Sequence, residues 1–107
     1  MKQATDIERY YITMVQLNRL STVARLVAQP GLDVNCLSCA AFDACLYLNN
    51  VSMLKLLLDN GLKPTLRQID EGIKLAKSLN HLKFVPILVK LAQARRLKAV
   101  VAKRGEG

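Results

Sequence analysis

Three cysteines, Cys36, Cys39 and Cys45, and the single histidine, His81, are the residues of this chain whose types could hold a metal or carry redox chemistry. Thiolates and an imidazole are the ligands of tetrahedral zinc sites, and a Cys-x-x-Cys step such as Cys36 to Cys39 also suits a thiol-disulfide pair. The surroundings speak against both. Cys45 shares a column of the internal repeat described below with Met14 and Ala76, a small core position, and cysteine is among the most buried residue types where it is merely structural. No strand is expected ahead of Cys36, as the redox arrangement requires. An odd number of cysteines cannot all pair within one chain, which argues against a secreted disulfide scaffold. The expectation is no metal and no cofactor.

Catalysis needs a base beside a nucleophile, a pair of carboxylates, or a glycine-rich phosphate cradle. Asp6, Glu8, Asp33, Asp43, Asp59, Asp70 and Glu71 are scattered, and the adjacent pair Asp70-Glu71 would diverge by about 100° on a helix. With one histidine and no glycine-rich loop, no such constellation assembles, and an enzyme is not expected.

Charge is the more informative feature. The net charge is +8, and from Gly72 to Gly105 the chain carries Lys74, Lys77, Lys83, Lys90, Arg95, Arg96, Lys98, Lys103 and Arg104 with no Asp or Glu. Such a field draws anionic partners and speeds their encounter. Two kinds compete: an acidic protein surface and a phosphate backbone. Nucleic-acid stacking is best served by aromatics among the basic residues, and none follows Phe84, so a protein partner with an acidic surface ranks first and nucleic acid second. No apolar run approaches the roughly 20 residues of a membrane span, and the N-terminal MKQATDIERYY places acids where a signal peptide is apolar. The reading is a soluble, cytoplasmic, single-domain chain with no membrane partner.

The elements that position these residues follow from a repeat. The pair Leu17-Asn18 recurs as Leu48-Asn49 and as Leu79-Asn80, thirty-one residues apart each time. The same shift superimposes Leu20, Val51 and Leu82; Val23, Leu54 and Val85; Leu26, Leu57 and Leu88; and Val27, Leu58 and Val89. Counted from Leu17, these columns step by three, three, three and one, the stripe of an amphipathic helix facing a core. Upstream, Tyr11, Phe42 and Ile73 align. Each unit therefore reads as two helices joined at the asparagine, which tolerates left-handed backbone angles. Thr5 with Glu8, and Thr65 with Gln68, form capping-box patterns; Ser38 is a candidate cap; Gly31 and Gly61 are expected to end second helices. The predicted helices span 6–17, 20–29, 39–48, 51–60, 66–79 and 82–103, with Pro86 in the first turn of the last. One helix pair buries too little alone, so the expected fold is an all-α solenoid of three stacked pairs, units about 5–35, 36–65 and 66–104, with an extended C-terminal helix.

These residues resemble the ankyrin repeat over roughly 6–92. "NNVSMLKLLLDNGLKPT" is similar to the end of the family's second helix, "GLDVN" at Gly31 to Asn35 to the opening of its inter-repeat loop, and Asn80-His81 stands where the family has Gly-His. The pattern departs in its period, against about thirty-three residues in the family, and in Ala40-Ala41-Phe42-Asp43, which replaces Thr-Pro-Leu-His. The resemblance implies a structural role for His81 and a non-enzymatic protein-interaction scaffold of the effector or inhibitor kind. It implies partner contacts at the unit loops, Asp33, Asn35, Leu37, Lys63, Thr65 and Arg67, and on the first helices at Arg9, Thr13, Asp43 and Lys74. A nucleic-acid-binding protein and a self-assembling structural protein are the alternatives. A homodimer would use an apolar seam of Leu91, Leu97 and Val101 on the last helix.

Overall fold

The computed structural model of the chain describes residues 5–106, with side chains described as far as Lys98. Among these residues the protein is all-α, with six helices: α1 (Asp6–Gln16), α2 (Leu20–Val27), α3 (Cys36–Tyr47), α4 (Val51–Asp59), α5 (Leu66–Ser78) and α6 (Phe84–Glu106). Contacts cluster into two compact units, the first ending at Pro64 and the second opening at Thr65.

Local chemistry sets the ends of the helices. Thr5 caps α1 and Thr65 caps α5; each hydroxyl accepts from the backbone N–H three residues on, while the Glu8 or Gln68 side chain accepts from the cap's own N–H. Two of the four donors left open at a helix start are thereby satisfied. Asn18, Asn49 and Asn80 all adopt left-handed backbone, at φ of 61°, 54° and 59°. In each turn the asparagine N–H donates to the carbonyl three residues back, and the next N–H reaches five residues back, as in Arg19 to Met14, Asn50 to Cys45 and His81 to Ala76. The repeat of thirty-one is thus a repeat of one helix stop, the paired closure that satisfies the last carbonyls. Gly61, at φ 99°, closes α4 the same way.

In the first unit α1 and α2 form a hairpin, α3 and α4 form a second, and α1 packs on α3 as α2 packs on α4. Its fully buried side chains include Tyr11, Val15, Val23, Phe42, Cys45, Leu46, Met53, Leu54 and Leu57. Each large apolar side chain so placed contributes about 1.5–3 kcal/mol relative to exposure. Side-chain hydrogen bonds cross the unit as well. The Tyr11 hydroxyl donates to the Val34 carbonyl at 3.1 Å, and Asn50 Nδ2 donates to Asn18 Oδ1, linking the two hairpin turns. The second unit is the α5–α6 hairpin, with Ile69, Ala76, Phe84, Leu88 and Ala92 buried. Pro86 is the third residue of α6, where its missing N–H has no helical acceptor to lose.

Four expectations are corrected. The Leu17, Leu48, Leu79 column and the Leu20, Leu82 positions do not face a core; Leu17 is 58% and Leu82 56% exposed. The first three are C-cap residues of α1, α3 and α5, at the tips of the hairpins, where the backbone reverses. Second, α2 stops at Val27, before Gly31, because Pro30 supplies no N–H and disfavours helical backbone at Gln29. Third, α3 opens at Cys36 with Asn35 ahead of it, not with Ser38 as cap. Leu37, Ser38 and Cys39 instead form a left-handed turn, at φ between 54° and 60°, before right-handed backbone resumes. Finally, α6 begins two residues later than expected, at Phe84, and runs to Glu106.

Candidate interaction surfaces

The buried faces of α1 and α3 leave their opposite faces outward. Tyr11 and Phe42 point into the core, so Tyr10, one residue before Tyr11, is turned about 100° away from it. Elsewhere on the two helices lies a surface groove of about 340 Å³, lined by Gln16 of α1, by Ala40, Asp43, Ala44 and Tyr47 of α3, and by Leu48. Tyr47 is 62% and Tyr10 49% exposed, an unusual exposure for aromatic rings in a chain with only five aromatic residues. Ala40 and Ala44 are one helical turn apart and small, so the α3 side of the groove is low enough for another backbone to approach. Asp43 supplies the one formal charge among the lining residues.

Of the first-helix residues expected to meet a partner, Asp43 lines this groove. Arg9 and Thr13 are exposed on α1, and the Thr13 hydroxyl donates back to the Arg9 carbonyl at 2.9 Å. Tyr47, Gln16, Ala40 and Ala44 were not singled out by the sequence reading, yet the thirty-one-residue shift pairs Gln16 with Tyr47 and Thr13 with Ala44. Following the polar columns of the repeat, as well as the apolar ones, would have led to them.

The loop residues prove to be structural in part. Asn35 is half-buried; its Nδ2 donates to the Gly61 carbonyl at 3.1 Å and its Oδ1 accepts from the Lys63 N–H at 2.6 Å, tying the loop before α3 to the loop after α4. The Cys39 thiol also reaches Asn35 Oδ1, at 3.4 Å, and Asp33 Oδ1 accepts from the Asn35 N–H at 2.9 Å. The Leu37 and Lys63 side chains face solvent. A second hollow, of about 390 Å³, lies at the start of α2 between Asn18 and Thr22.

In the second unit Thr65 is held in its cap, Arg67 pairs with Glu71 at 3.3 Å, and Arg96 Nη2 donates to both carboxylate oxygens of Asp70, at 3.2 and 3.3 Å. Lys74, Lys77, Lys83, Lys90 and Lys98 are exposed and Arg95 is half-buried. Leu97 is 66% exposed, whereas Leu91 is half-buried and lies about 120° around the helix from it, so these two do not form one seam. Val101, Lys103 and Arg104 fall outside the residues whose side chains are described.

Cys36, Cys39 and Cys45 are all buried free thiols, and Cys45 occupies the core column shared with Ala76. Burial pushes the Cys36 thiol up to about 11, with the Glu8 and Asp33 carboxylates adding to it, and pushes Cys45 up to about 12. Burial likewise raises the Tyr11 hydroxyl well above its ordinary value. Thiols held protonated in this way are poor nucleophiles and poor ligands. Among the described residues no group of three His, Cys, Asp or Glu is placed to hold a metal ion, and no helix is long and apolar enough to cross a membrane. Comparison with family models, curated proteins and solved structures gave no match.

Proposed function

We propose that this chain is a non-enzymatic protein-interaction scaffold of the ankyrin-like kind, and that the outward faces of α1 and α3 form its docking surface. The observation that carries the proposal is the groove between Gln16 and Tyr47, which presents an exposed aromatic beside two small residues and one carboxylate. Aromatic anchors at the centre of a contact contribute most of the binding energy, and small neighbours admit the partner's backbone. The pairing of α1 with α3 and of α2 with α4 is what two stacked helix pairs would show, in keeping with an array read as a binding face. A partner that fits offers an apolar side chain to Tyr47 and a hydrogen-bond donor or cation to Asp43.

The test is capture from native lysate, after nuclease treatment, by the wild-type chain and by Tyr47→Ala and Asp43→Arg variants with matched circular dichroism. The expected result is one stoichiometric protein retained by wild type and weakened about thirtyfold or more by Tyr47→Ala, the cost of truncating an interface anchor. Equal retention by wild type and both variants would remove the groove from the docking surface.

A further inference from the structure

The second unit carries a feature that the groove does not use. From Thr65 onward the chain has ten Lys or Arg against three Asp or Glu, so this unit holds +7 of the net +8. Its two carboxylates with described side chains are already engaged within the unit, Asp70 by Arg96 and Glu71 by Arg67. Among the residues with described side chains, the cations that remain are Lys74 and Lys77 on α5, Lys83 just before α6, and Lys90, Arg95 and Lys98 along α6. We propose that the α5–α6 hairpin binds the phosphodiester backbone of a double-stranded nucleic acid, without reading its sequence, through these cations, five exposed lysines and the half-buried Arg95.

Three observations favour this partner over an acidic protein or a single strand. The unit's only aromatic, Phe84, is completely buried, so the surface offers neither the ring anchors of a protein hot spot nor the platforms on which unpaired bases stack. A duplex backbone needs neither, since its contacts are made to phosphate oxygens. Second, five of the six cations are lysines. Lysine is depleted from protein–protein contacts yet serves phosphate well as a point charge. Third, the cations are spread along the hairpin. Lys90 and Lys98 are about 12 Å apart along the helix axis, a distance over which a duplex presents several phosphates.

The experiment is fluorescence anisotropy of a labelled duplex of about 20 base pairs with the full chain, in 50 and 200 mM KCl. Six phosphate contacts predict a loss of affinity of about 10³-fold between the two salts. Replacing Lys77, Lys90 and Lys98 together by Gln should reduce the slope of log affinity against log salt by about 3, and replacing the same three by Arg should keep it. DNA and RNA duplexes of unrelated sequence should bind within a few-fold of one another if shape matters little; a strong preference for one duplex type would support the contact and identify its source. The Tyr47→Ala variant should bind the duplex as wild type does, which separates this surface from the groove. Absence of binding in 50 mM KCl, an unchanged salt slope in the Gln variant, loss of binding on Tyr47→Ala, or tighter binding to polyglutamate or to anionic vesicles than to the duplex would each overturn the proposal.

Discussion

Replacing Asn35 by Ala removes a side chain that joins two loops of the first unit without touching the hydrophobic core. Three interactions go: Nδ2 to the Gly61 carbonyl, the Lys63 N–H to Oδ1, and the Cys39 thiol to Oδ1. The Asn35 N–H keeps its bond to Asp33. Each neutral hydrogen bond is worth about 0.5–1.5 kcal/mol net, and the thiol contributes less. Gly61 and Lys63 are exposed, so water can replace the lost partners and the cost falls in the lower half of the range, about 1–2 kcal/mol. For a chain of this size that lowers the melting temperature by about 5–15 °C. Thermal unfolding followed by circular dichroism gives the magnitude, and hydrogen exchange at the Lys63 amide gives the location. Asn35→Asp sharpens the test, because it retains the acceptor for Lys63 but turns an oxygen toward the Gly61 carbonyl. That variant should be destabilised while the Lys63 amide stays protected. A melting temperature within about 1 °C of wild type for Asn35→Ala, or unchanged exchange at Lys63, would refute the bridge as a stabilising element.

Two further outcomes follow from backbone and thiol chemistry. Asn49→Ala places a Cβ-bearing residue without a local hydrogen-bonding side chain at φ 54° and should cost about 1 kcal/mol, whereas Asn49→Gly should match or exceed wild type; urea midpoints of the two variants check the order. The Cys36 and Cys45 thiols are raised from an ordinary 9.0, so above pH 9 the native state holds protons that the unfolded state has lost. Their contribution is complete below pH 9 and is lost as the pH climbs toward 11 and 12, so the urea midpoint should fall between pH 9 and pH 11, and native labelling by a disulfide reagent should stay slow at pH 8.

Much of the architecture was legible because it is written in local rules. A capping box needs only Thr5 and Glu8, or Thr65 and Gln68, and both formed. A left-handed stop needs a residue that tolerates it, and Asn18, Asn49 and Asn80 all took that conformation at the predicted spacing. Five of the six helices lie within two residues of their predicted bounds except at α6's C-terminal end, and the exception is α3. There the sequence Cys36-Leu37-Ser38-Cys39 contains no glycine to announce left-handed backbone, and single-residue propensities give no warning of three such residues in succession.

The candidate surface was legible only in part, and the reason is geometric. A period assigns residues to columns, but it does not say how far the neighbouring element extends. Val23 and Leu54 lie under a neighbouring hairpin and are buried, while Leu17 and Leu48, in an equally apolar column, stand at the turns and are exposed. Leu48, so uncovered, lines the groove together with its chain neighbour Tyr47. Side chains that an apolar pattern assigns to the core therefore become part of the surface proposed for a partner. Exposed apolar residues at a turn cost little in solubility when single, but Leu48 and Tyr47 adjoin one another across a shared hollow. Leu48 stands at the end of α3 as its C-cap, and the helix stop is set by the left-handed turn at Asn49. The asparagine repeat thus fixes the groove's end as firmly as it fixes the hairpin, which ties the proposed binding face to the feature of the sequence that was easiest to see.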